Sequence, residues 1–245
     1  MNFFDELIAK CEDTFSQHNK NSYHFSPAKQ WEDTGISHIV LQRDTAFELN
    51  GIGFNLVTSK PIENSETAVI GNELKEIKNN RKFCRVSIIQ IDDVDDEQKA
   101  YNLIRKIEYV KYHYFPLGYM IRTSSEEQKE IVRVSKSAIK KGISFEKIGN
   151  LLNSKFLENK SVKNVKTVFV TAEDFDYSLL TSVAEKNSEI TKTLNHIMQG
   201  INFDCSACNL KPICDEVEGM RELHFKRHSM HIKSQFELIV QAVFI

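Results

Sequence analysis

Apolar residues recur at helical spacing through the first seventeen positions, where Phe3, Phe4, Leu7, Ile8, Cys11 and Phe15 fall on one side of a helix. The spacing predicts an amphipathic helix over 1–17, with Cys11 on its buried face. The periodicity lapses over 18–35, a polar stretch holding Pro27 and the lone Trp31, which reads as a linker. Alternation then resumes and predicts short strands at 37–42, 45–49, 53–58 and 67–71.

The β-branched run 83–91 predicts a buried strand, and the acids of 92–97 after it mark the start of a helix over about 95–112, where the helix dipole favours negative charge. Beyond Gly118 a strand is expected at 130–134 and helices at 135–141 and 144–157. The second of these helices carries Phe145, Ile148, Leu151, Leu152 and Phe156 on one face. A strand at 163–171 and a helix over 174–198, broken near Asn187 and Ser188, lead to Gly200. The apolar ending 236–245 is expected to be buried, within the fold or against another chain. Strands and helices mix without a strict βαβ rhythm, so the fold class is α+β, a mixed sheet packed with helices, followed by a C-terminal cysteine-rich metal-binding segment. The division expected is a helix and linker over 1–35, an α+β domain over 36–200 and the cysteine-rich segment over 201–245.

Composition narrows the function classes. A formal net charge of −2 on 245 residues gives no basic field for nucleic acid. The acidic N-terminus does not resemble an export signal and no apolar run approaches about 20 residues, so a cytoplasmic chain away from the membrane is expected. With nine glycines and no Gly-x-Ser-x-Gly, His-Glu-x-x-His or phosphate-cradling loop, hydrolase chemistry has no support.

The candidate chemistry lies in Cys205, Cys208 and Cys214. A Cys-x2-Cys pair folds two thiolates around one metal from a single turn, and the third thiolate returns past Pro212. Five cysteines, an odd number, in a chain without an export signal fit reduced metal ligands better than disulfides. Zinc sites usually come as two ligand pairs, and the second pair here is short by one, so a 4Fe-4S cluster stands ahead of zinc. The fourth ligand is open among Cys84, Cys11 and the histidines His224, His228 and His231. His224 and His228, four apart, share one helix face, and the same run with Lys226, Arg227 and Lys233 also reads as a solvated basic face.

From Phe47 to Glu216 the chain resembles the carbon monoxide dehydrogenase/acetyl-CoA synthase β subunit, in its middle domain and the entry to its metal domain. The residues that carry the resemblance are Phe47-Glu48-Leu49-Asn50-Gly51, Val69-Ile70-Gly71-Asn72-Glu73-Leu74, the run from Arg133 to Gly149, Val165 to Thr171 and the cysteine turn. The resemblance implies an α+β domain, cluster-ligand positions at Cys205, Cys208 and Cys214, and an anaerobic one-carbon metabolism in which carbon monoxide, a methyl group and coenzyme A become acetyl-CoA. The family's Cys-Gly-Cys nickel tripeptide has no counterpart in this sequence, so a nickel centre is not expected and catalysis is left open. Arg133, Lys136, Lys140 and Lys141 are candidate contacts for a coenzyme A phosphate, against the plainer reading of a solvated helix face. Two functions follow: an acetyl-CoA synthase-like iron–sulfur protein working with a protein partner, or a noncatalytic accessory or regulatory protein with a structural zinc or iron–sulfur site.

Overall fold

The computed structural model describes residues 3–27, 43–94, 96–113, 118–123, 128–200, 205–206 and 208–229. Its strands are β1 (Asn21–His24), β2 (Thr45–Thr58), β3 (Glu66–Ile70), β4 (Arg81–Ile91), β5 (Tyr119–Thr123), β6 (Lys129–Ser135) and β7 (Val162–Val170). The helices are α1 (Asp5–Ser16), α2 (Glu97–His113), α3 (Lys136–Lys140), α4 (Phe145–Leu157), α5 (Tyr177–Met198) and α6 (Lys211–Glu216), followed by a helical run over 220–229, here α7. The strands form one sheet in the order β1-β3-β7-β4-β2-β6-β5. Pairs β2/β4 and β3/β7 are parallel and the other neighbours antiparallel, so the sheet is mixed and the fold is α+β.

Local chemistry sets the helix starts. The Ser135 hydroxyl accepts from the backbone N–H groups of Ser137 and Ala138, Ser144 from Lys147, Asp96 from Lys99 and Asp176 from Ser178. Helices then cover both faces of the sheet. Along β4, Phe83, Arg85 and Ser87 point to one face and Cys84, Val86 and Ile88 to the other. On the first face α4 packs over β3 and β7, with Phe145 stacked on Phe169 at 4.6 Å between ring centroids. On the second, α5 and α1 lie against β2, and Thr58 bonds Asp5 at 3.0 Å.

One core takes in Phe4, Leu7, Cys11 and Phe15 of α1, the sheet interior, and Ile213, Cys214, Met220 and Leu223 near the other end of the described chain. Among the described residues no helix is long and apolar enough to cross a membrane.

Three of the expected elements take a different form, and β5, α6 and α7 are additions to the expected set. The strands expected at 45–49 and 53–58 are one continuous strand, β2, because Gly51 and Gly53 stay in ladder register with Phe83 and Arg85. The expected linker contains β1, a strand of exposed and half-buried residues that pairs with β3 and lies at the edge of the sheet among the described residues. Helix α5 runs unbroken through Asn187 and Ser188, both of which it buries. The strand expected at 37–42 and the apolar ending 236–245 lie outside the described residues.

Candidate metal centre

After α5 the chain reaches the turn bearing Cys205 and Cys208, enters α6 at Pro212 and presents Cys214 from the buried side of that short helix. Gly219, at φ +77°, adopts a left-handed conformation that suits glycine, and α7 follows directly with His224 on it. Met220 and Leu223 of α7 are buried in the core. Lys226 Nζ donates to Glu97 Oε1 at 2.8 Å and Arg227 to Gln98 Oε1 at 2.8 Å, which ties α7 to the start of α2. Lys186 of α5 pairs with Glu216 at the end of α6. The cysteine segment is therefore fastened to the α+β body from two sides.

The structure draws Cys205 and His224 together: Sγ and Nδ1 stand 3.9 Å apart. Cys205 and Cys208 are half-buried, and Cys214 and His224 are each only 8% exposed. Burial pushes the Cys214 thiol above the usual thiol range, and the neighbouring Cys208 and Cys205 push the same way. Burial, with His228 nearby, lowers the His224 pKa and favours the neutral imidazole that a metal requires. Among the described residues no group of three His, Cys, Asp or Glu side chains converges tightly enough to hold an ion as it stands. The donors fit a thiophilic metal by type, three sulfurs and an imidazole.

The other candidate ligands sit elsewhere. Cys84 is fully buried in β4, opposite Ile52 of β2 and Val170 of β7. Cys11 is fully buried on α1, and burial, helped by the Glu12 charge, pushes its thiol up to about 12. His228 lies on α7 one turn beyond His224, and His231 is outside the described residues. In the histidine run His224 is buried, while Lys226 and Arg227 reach Glu97 and Gln98 of α2 at the surface.

The basic group around α3 is mixed in charge. Lys136, Lys140 and Lys141 are exposed, while Arg133 on β6 pairs with Glu48. Asp44 accepts hydrogen bonds from the Ser135 and Ser137 hydroxyls, chiefly the first, and these hold its carboxyl below the ordinary aspartate range.

A feature without a local sequence signal is a buried polar chain across the sheet. Arg85 on β4 meets Glu130 of β6 at 3.0 Å, with Asn55 and Ser87 as further partners. Ser87 bonds Thr167 of β7, and Thr167 bonds Asn153 of α4. Burial opposes the Arg85 charge, but the Glu130 carboxylate outweighs it and leaves the guanidinium pKa raised.

Comparison with protein families matches residues 36–175 to the CO dehydrogenase/acetyl-CoA synthase complex beta subunit, more than half of the chain. The matched span ends before α5 and the cysteine turn. No curated protein matches.

Proposed function

The chain belongs to the family of the CO dehydrogenase/acetyl-CoA synthase complex beta subunit, and from that premise we propose an acetyl-CoA synthase-like metalloprotein of anaerobic CO and one-carbon metabolism, with one metal centre at Cys205, Cys208 and Cys214. The observation that carries this reading is the placement of the three thiols on one turn and one short helix, with Cys214 on the buried side of that helix. Because the family match stops upstream of the turn, the metal rests on the donors of this chain and not on the match.

A 4Fe-4S cluster is the form proposed for the centre. Such a group supplies electron transfer, or Lewis acidity where one iron keeps an open position. These 245 residues hold no Cys-x-Cys chelate, so nickel condensation chemistry is not part of the proposal. The protein would act in the cytoplasm beside a protein partner, as befits a family named for a subunit of a complex. Arg133, Lys136, Lys140 and Lys141 are the proposed contacts for a coenzyme A phosphate.

A second reading, a redox-silent zinc staple, draws on the 3.9 Å contact and on the fastening of α6 and α7 to the core. Metal-binding energy then becomes folding energy for the segment. Visible and electron paramagnetic resonance spectra of anaerobically purified protein separate the two. A brown, reducible chromophore with iron and sulfide supports the cluster, and a colourless protein carrying zinc supports the staple. A protein without metal sinks both.

A further inference from the structure

We infer that the cleft between α1 and the joint of α6 and α7 is a docking site for an arginine side chain of a protein partner. This gives a chemistry to the partner proposed above, and it holds whether or not the cysteine turn carries metal.

The cleft has a volume of about 370 Å³. Its floor is apolar, formed by Phe3 just ahead of α1, Leu7 of α1, Ile190 of α5 and Val217 at the end of α6. Leu7 and Ile190 belong to the core, and Phe3 and Val217 are partly buried against it, so the floor is fixed in place. The joint itself lies on the aromatic ring: a Cβ added to Gly219 would meet Phe3 Cε1 at 3.6 Å.

Charge is uneven around this floor. Four carboxylates, Asp5, Glu6, Glu216 and Glu218, and two ammonium groups, Lys60 and Lys186, line the cleft. Both lysines are engaged, since Lys60 Nζ stands 3.0 Å from Asp5 Oδ2 and Lys186 pairs with Glu216. Glu6 and Glu218 are exposed, and neither carboxylate has an ion-pair or hydrogen-bond partner among the described residues. One uncompensated carboxylate thus stands on α1 and another on the α6–α7 joint, with apolar surface between them.

Exposed carboxylates alone are well solvated and carry little information. Beside an apolar floor they ask for an occupant with an aliphatic stem and a cationic head, as lysine and arginine have. Arginine fits better on two counts. Its guanidinium is less strongly hydrated than an ammonium, so it loses less on entering a half-enclosed cleft, and its plane stacks on an aromatic ring, here Phe3. A segment of protein is the source we assign, because the family is named for a subunit of a complex. The cleft also lies on the seam between α1 and the segment that carries the cysteines, so an occupant reaching Glu6 and Glu218 clamps the two together.

The test uses the full-length protein and three capped tripeptides, Leu-Arg-Leu and its lysine and glutamine counterparts, with arginine amide as a small-molecule arm. Methyl resonances of Leu7, Ile190 and Val217 report on the cleft. The arginine tripeptide is expected to shift all three and to bind about 10-fold more tightly than the glutamine tripeptide, as two exposed ion pairs allow. Its binding is expected to weaken as salt is raised. Arginine amide and the lysine tripeptide are expected to bind more weakly than the arginine tripeptide. Glu6→Gln with Glu218→Gln is expected to bring the arginine tripeptide down to the level of the glutamine one, while Asp174→Asn, an exposed acid ahead of α5, is expected to match wild type. Circular dichroism checks that the variants fold.

No binding, equal binding of the arginine and glutamine tripeptides, shifts away from the three methyls, or unchanged affinity in the double variant overturns the site and leaves the proposed function standing. A lysine tripeptide as tight as the arginine one overturns the choice of arginine. Arginine amide as tight as the tripeptide makes the cleft a small-molecule site and overturns the assignment to a protein partner.

Discussion

Glu130 reaches Arg85 across the strand that lies between them, because the intervening position on β2 is Gly53. Gly53 pairs in register with Arg85, and a Cβ there would lie 1.9 Å from Glu130 Oε2. The carboxylate passes over the bare backbone and bonds the guanidinium at 3.0–3.3 Å, with both side chains nearly excluded from solvent. Buried ion pairs are costly to half-remove, since the remaining charge stays desolvated.

Glu130→Gln and Gly53→Ala are therefore each expected to lower unfolding free energy by about 3 kcal/mol or more. The paired replacement Arg85→Met with Glu130→Leu is expected to recover most of that loss, because no uncompensated charge is left inside. Denaturant melts of the three proteins check this. A single variant as stable as wild type would show that the pair contributes no such constraint.

Stability should also decline at high pH. The Cys11 thiol, ordinarily near 9.0, is raised by burial to about 12, and Tyr119 is likewise raised well above its ordinary value, by burial and then by Glu130. Between about pH 9 and 12 the unfolded chain releases the Cys11 proton while the folded chain retains it, so the contribution is fully present below pH 9 and is lost as pH rises through 12. At full ionisation it amounts to about 4 kcal/mol for Cys11. Cys11→Ala is expected to flatten the alkaline limb of stability against pH, and an unaltered slope would remove Cys11 as its cause.

Much of this architecture is legible in the sequence where a local signal exists. Helix α4 shows its buried stripe and its Ser144 cap, and β4 and β7 show their β-branched runs. Signals that depend on neighbours are not legible. Gly51 and Gly53 look like a break between strands, and only the arrival of Glu130 from β6 shows why Gly53 sits inside one. Asn187 and Ser188 look like helix breakers, yet α5 buries them. The cysteine turn was readable from its spacing. The proximity of His224 was not, because it depends on how α7 is rotated against α2 and the core, which helical periodicity alone does not fix.

Coenzyme A binding tests the basic group around α3. Lys140→Glu with Lys141→Glu is expected to reduce the calorimetric heat of coenzyme A binding if Lys136, Lys140 and Lys141 contact its phosphates. Equal heats in wild type and variant, or none in either, would leave these lysines as a solvated helix face.

Nickel reconstitution of the 245-residue chain is expected to give no carbonyl exchange into acetyl-CoA, since the five cysteines contain no Cys-x-Cys pair to chelate a second metal. Exchange above a metal-free control would contradict that.

The claim on which the functional reading turns is that Cys205, Cys208 and Cys214 hold one metal centre. Metal-to-protein stoichiometry of anaerobically purified wild type beside Cys208→Ala, with thiol titration of both native proteins, tests it most directly. The expected result is one centre per wild-type chain, its cysteines shielded from the titrant, and loss of that centre in Cys208→Ala. A folded wild type that carries no metal, with the three thiols titrating freely, would contradict it.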